Sequence, residues 1–79
     1  MHTEATEVTT YEEVMEAWDQ YSVLVRQDGD AAFVYPQLGR GYSYPEVKLH
    51  TLATLVCLPS VEVAKLWATS KGYAVTEVK

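Results

Sequence analysis

The spacing of apolar and polar positions changes period several times along this chain, and each change predicts an element. Val14, Ala17, Trp18 and Tyr21 recur at i, i+3, i+4 and i+7, the stripe of an amphipathic helix. Thr10-Tyr11-Glu12-Glu13 in front of them has the form of a capping box, with Glu12 and Glu13 at the favourable positive end. Residues 1–8 show no period and are expected to be frayed and flexible. Ser22–Gln27 and Ala31–Tyr35 are rich in β-branched and aromatic residues. They flank Asp28-Gly29-Asp30, which predicts a hairpin whose glycine accepts positive φ. Pro36, which lacks a ladder donor, is expected to end the second strand.

Beyond a loop from Gln37 to Tyr44, Ser43-Tyr44-Pro45-Glu46 offers another capping box. The helix it opens should run to about Cys57, with Leu49, Leu52, Ala53 and Val56 on one face. Pro59 breaks it, and Ser60 caps a third helix whose inward residues are expected to be Val63, Leu66 and Trp67. Gly72 suits the stop, with Tyr73 packing back, and residues 73–78 can add a last strand. The expected order is α-β-β-α-α-β. This is an α+β fold in one domain, residues 1–79, with a three-stranded antiparallel sheet packed by helices.

Composition narrows the class. At 79 residues, with 48% apolar and 22% charged positions, the chain is globular and has one small core to fill. Trp18 and Trp67 are therefore expected in the core or at a dimer contact. No apolar run approaches the roughly 20 residues that span a bilayer. The polar, acidic start is unlike a signal peptide, and the single Cys57 suits a reducing compartment, so a cytoplasmic protein is expected. The net charge of −5 is unevenly spread: residues 1–36 carry eight acids against one base, and residues 37–79 carry five bases against three acids. Such asymmetry can mark two faces with different partners, or a solvated acidic helix beside an ordinary surface.

Residues 49–73 add a motif. Ala53 supplies a small residue where two helices would cross, and Cys57 occupies a turn four residues later. Leu58 follows as a buried apolar position, and Val63 and Leu66 point inward from the second helix. This run resembles the helix-turn-helix of DNA-binding domains, and Lys71-Gly72-Tyr73 is similar to the start of a wing in winged-helix proteins. The resemblance covers about a third of the chain. It implies a DNA-associated transcriptional regulator that meets DNA through Ser60, Lys65, Thr69 and Lys71. Cys57 stands where the family usually has glycine, and the second helix has no arginine to neutralise phosphate.

A different class is also open. Glu12, Glu13, Glu16 and Asp19, with Asp28 and Asp30, could engage a basic, nucleic-acid-binding protein, as small acidic phage-type inhibitors do. The Tyr35–Pro45 loop concentrates Arg40, Tyr42 and Tyr44, residue types that dominate protein interfaces. Alternatively, the loop's tyrosines cover a helix–sheet junction and Arg40 pairs with an acid of the first helix. Chemistry is not expected. His2 and His50 are isolated, Cys57 reads as a small core residue, and one cysteine with two distant histidines cannot complete a zinc site. The expectation is a non-catalytic binding protein without cofactor, metal, small-molecule substrate or membrane partner. Its partner would be DNA or a basic protein, with a homodimer possible.

Overall fold

A computed structural model describes residues 6–45 and 53–78. Within them the order is β1 (Thr6–Glu7), α1 (Tyr11–Ala17), β2 (Trp18–Asp28), β3 (Ala31–Leu38), β4 (Tyr42–Ser43), β5 (Val56–Leu58), α2 (Val61–Ser70) and β6 (Ala74–Val78). The architecture is α+β, but the main sheet is four-stranded and mixed, in the order β5-β3-β2-β6. This corrects the expected three-stranded antiparallel sheet and the order α-β-β-α-α-β. β3 lies antiparallel to both β2 and β5, while β6 runs parallel to β2. The cause is the crossover. β5, α2 and β6 are consecutive, and a helix laid across a sheet returns the chain in the direction it left. β5 and β6 are therefore co-directional edge strands on either side of the β2–β3 hairpin. β1 and β4 form a separate two-stranded parallel ribbon.

The helix starts follow local chemistry. The Thr10 hydroxyl accepts from the Glu13 amide at 3.1 Å, and the Glu13 carboxylate accepts from the Thr9 and Thr10 amides, completing the capping box. The Ser60 hydroxyl accepts from the Val63 amide at 3.2 Å. α2 ends in a Schellman arrangement: Tyr73 N–H donates to Ala68 O, Gly72 N–H donates to Thr69 O, and Gly72 has φ +84°. In the hairpin, Asp28 pairs with Ala31 across a two-residue loop. Of its two central residues only Gly29 has positive φ, the type II′ pattern.

Other expectations fail for identifiable reasons. β1 and the buried Val8 replace part of the expected fray, because residues 6–8 are tied to the strand at 42–43. α1 stops at Ala17, four residues short of the predicted stripe's end, and Trp18 turns directly into β2. Pro36 does not end β3. The Leu55 amide donates to Val34 O, so Val34 turns its backbone groups toward the β5 side, and Pro36, two residues on, turns its nitrogen the same way. β5 pairs only with Ala32, Phe33 and Val34, so no donor is required there. The helix expected to reach Cys57 is replaced at its end by β5, in which Cys57 pairs with Phe33. Its earlier part, including Leu49, His50 and Leu52, lies at 46–52, outside the described residues.

Two clusters form the interior. Val23, Val25, Ala32 and Val34 of the hairpin pack against Ala64 and Ala68 of α2. Val8, Val14, Ala17 and Ala53 form the second cluster, with Leu38 and Tyr44 against it. The inward stripe of α2 is therefore Val61, Ala64 and Ala68, with Trp67 half-buried and packed against the same cluster, while Val63 and Leu66 do not face inward. Val63 and Leu66 are 42% and 69% exposed. Alanine lets the helix backbone approach the sheet closely, and Val63 and Leu66 turn outward. Among the described residues no helix is long and apolar enough to cross a membrane.

Candidate protein-binding interface

The most irregular backbone in the described chain lies at the start of β2. Trp18 pairs with Leu38 and Val23 with Pro36, so Asp19, Gln20, Tyr21 and Ser22 stand opposite Gln37 alone. This large bulge puts Gln20 at φ 42° and Tyr21 at φ 70°, left-handed conformations that neither residue favours. Such strain persists only where surroundings hold it. The Trp18 indole N–H donates to Ser22 O at 2.6 Å, closing the bulge. Tyr21 stacks on Tyr73 with ring centroids 5.9 Å apart and planes 4° from parallel. Trp18 meets both tyrosines edge-on, at 5.7 and 5.6 Å.

The result is a chain of aromatic rings. Trp67 of α2 contacts Tyr73 at 5.9 Å, and the Lys71 ammonium lies 5.6 Å from the Trp67 ring centre. Val63 lies one helical turn before Trp67, and Leu66 lies next to it in the chain. An apolar surface thus runs from the exposed side of α2 across Tyr73 to Tyr21, which is 63% exposed. At its far end Met15, Trp18, Gln20 and Tyr21 line a cavity of about 350 Å³. Glu16 and Asp19, both exposed, border these residues in the chain and form no ion pair among the described residues. Sequence reasoning missed this site. Periodicity places Val63, Leu66, Trp18 and Tyr21 on inward stripes, and nothing in Gln20-Tyr21 signals a left-handed turn.

The expected DNA-facing residues are each engaged within the protein. Ser60 caps α2, and Lys65 forms an ion pair with Glu77. Thr69 donates its hydroxyl to Lys65 O at 2.9 Å, and Lys71 sits over Trp67. The expected acidic set is divided. Glu12, Glu13, Glu16 and Asp19 lie on or just after α1, whereas Asp28 and Asp30 sit at the hairpin tip. The regular part of β2, from Val23 to Asp28, separates the groups by roughly 16 Å at about 3.3 Å per residue. Glu13 is committed to the cap, and hydrogen bonds from Thr9 and then Thr10 hold its carboxyl below the usual range. In the tyrosine loop, Tyr35 is buried and meets Tyr44 edge-on at 5.5 Å. Tyr44 donates to Pro36 O at 2.6 Å, so it serves the fold. Tyr42 and Arg40 are exposed, and Arg40 forms no ion pair among the described residues.

Burial drives the Tyr44 phenol well above its ordinary value, with Tyr35 adding to the rise. Burial also raises Tyr35, partly offset by Arg26. Groups raised in the folded state contribute stability that is complete below their unfolded pKa of about 10 and is lost as pH climbs past it. Stability should therefore be flat from pH 8 to about 10 and then fall. Absorbance at 295 nm should show a late component from Tyr44 that appears with unfolding, and Tyr44→Phe should remove it.

Among the described residues no group of histidine, cysteine and acidic side chains has the arrangement to hold a metal ion. Comparison with protein-family models, curated proteins and solved structures finds no match to this chain.

Proposed function

We propose that this protein is a non-catalytic binding module, an inhibitor or adaptor, whose partner is a protein with a basic surface of the kind that holds nucleic acid. The observation that carries this reading is the exposed run of Leu66, Val63 and Tyr21, joined through Trp67 and Tyr73 and bordered by the acids of α1. A chain this small has few large apolar side chains, and leaving these in water costs stability unless a partner covers them. Aromatic anchors inside a charged rim are the usual anatomy of a specific protein interface. The acids give the rim its sign at the α1 end, while Lys71 stays over Trp67 at the α2 end. Glu12, Glu16 and Asp19 are free to attract a cationic surface and to speed encounter with it.

The reading places recognition on α1, the β2 bulge and α2 together, with Arg40 and Tyr42 as a separate exposed pair. DNA regulation through Ser60, Lys65, Thr69 and Lys71 is the alternative. It requires Lys65 to leave Glu77 and Lys71 to leave Trp67, with only those two bases on or beside α2.

The test uses a partner captured by crosslinking and then purified. Reversing charge at Glu12, Glu16 and Asp19 together should slow association and make it insensitive to salt. Leu66→Asp should weaken binding at least about tenfold through faster dissociation. A partner that binds both variants as it binds the parent protein would sink the proposal. Tight, steeply salt-dependent binding to duplex DNA that is lost on changing Lys65 and Thr69 would replace it with the DNA reading.

A further inference from the structure

The cavity at the α1–β2 junction has more specific chemistry than the surface around it. Trp18 and Tyr21 form two of its walls, their planes 72° apart, so they meet as a corner. One face of Tyr21 is covered by Tyr73, and its 63% exposure leaves the other open. Met15 contributes a polarizable thioether, and Gln20 an amide that can accept a hydrogen bond. The walls carry no charge, while Glu16 and Asp19 flank them in the chain and are not neutralised among the described residues.

A cation is attracted to the faces of tryptophan and tyrosine, and more strongly when nearby carboxylates add to the field. This fold already makes the contact twice within itself. Lys71 lies over Trp67, and Arg26 lies 6.0 Å from the centre of the Phe33 ring. At the Trp18–Tyr21 corner the same aromatic surface is present without a cationic occupant among the described residues.

The geometry points to this corner as a receptor for an arginine side chain projecting from the partner protein. Its guanidinium would stack on the open face of Tyr21 against the edge of Trp18, and its N–H groups would reach Asp19, Glu16 or the Gln20 carbonyl. Arginine fits better than lysine because a planar, weakly hydrated guanidinium stacks on rings and donates sideways at once, whereas an ammonium keeps its water. The bulge supplies the positioning: the left-handed backbone at Gln20 and Tyr21 turns the ring out of the sheet. The inference rests on the basic-partner reading and names one contact within it.

The experiment is a fluorescence titration at low salt in the Trp67→Phe background, where Trp18 is the sole tryptophan. The probes are capped hexa-arginine, hexa-lysine and hexa-citrulline peptides. Hexa-arginine should change Trp18 emission saturably and bind at least about fivefold tighter than hexa-lysine, with no response to hexa-citrulline. Tyr21→Ala should remove most of that preference. Met15→Lys, which places a cation at the half-buried wall of the cavity, should weaken hexa-arginine at least about tenfold. Circular dichroism of each variant confirms that it is folded, and Met15→Lys serves if Tyr21→Ala is not. Equal affinity for the arginine and lysine peptides overturns the arginine site but leaves the basic-partner reading standing, provided that charge reversal at Glu16 and Asp19 still weakens both. No binding of either cationic peptide overturns both.

Discussion

Ala64→Leu is expected to destabilise the fold by roughly 3 kcal/mol, the upper end of the range for overpacking a filled core. Ala64 is fully buried between α2 and the hairpin residues Val23, Val25, Ala32 and Val34. Both sides of that contact are regular backbone, so three added carbons can be housed only by lifting the helix. Lifting it would also disturb Ala68 one turn on, and the caps at Ser60 and Gly72. Leu66→Ala is the informative control. A helix with Leu66 in the core would lose 2–5 kcal/mol. With Leu66 exposed at 69% the change should stay within about 0.5 kcal/mol. Urea unfolding of the two variants decides which face of α2 meets the sheet. A costly Leu66→Ala beside a neutral Ala64→Leu would reverse the assignment and remove the apolar surface on which the functional reading depends.

Trp18→Ala carries the second large effect, about 3 kcal/mol, at the lower end for a tryptophan truncation because the ring is only half-buried. The loss has three physical sources. The indole donates the bond to Ser22 O that closes the bulge. The ring braces Tyr21 and Tyr73 edge-on. It also packs against the cluster under α2. Once those supports are gone, nothing offsets the left-handed backbone at Gln20 and Tyr21, and the bulge should relax. Trp18→Phe keeps a ring and loses the donor, so it should cost about 1 kcal/mol. Near-ultraviolet circular dichroism offers a second readout: the signal of the coupled rings should collapse in Trp18→Ala and survive largely in Trp18→Phe.

Glu13 links local chemistry to pH on the acid side. Its folded carboxyl is held below the ordinary carboxylate value, so its contribution is present at neutral pH and lost as pH falls through the lowered value. That cap was legible from four consecutive residues, as were the Ser60 cap, the glycine stop at Gly72 and the Asp28–Ala31 turn. The separate acidic character of the first helix was legible too. These are contacts between groups within a few positions of one another, where covalent connection makes the encounter almost certain.

The sheet and the candidate site belong to the other category. Nothing local to Ala74–Val78 says that the strand will lie parallel to β2; the crossover helix decides it by carrying the chain over the hairpin. Val56–Leu58 has helical spacing with the residues before it, yet it pairs with Ala32–Val34 because the hairpin leaves that edge open. The larger reversal is in α2. Its sequence holds two possible inward stripes, one of alanines and one of Val63, Leu66 and Trp67. Periodicity favours the larger residues, because burying them would remove more apolar area from water. The tertiary structure chooses the alanines, since a helix lying across a four-stranded sheet must approach closely along its length. The same choice turns Val63 and Leu66 outward and leaves Trp67 half-buried at the edge of the core, beside a bulge whose left-handed residues no local signal announces. From the sequence alone came the caps, the turn and the charge asymmetry. Which apolar side chains would be left at the surface was decided only when helix, sheet and bulge competed for the same core.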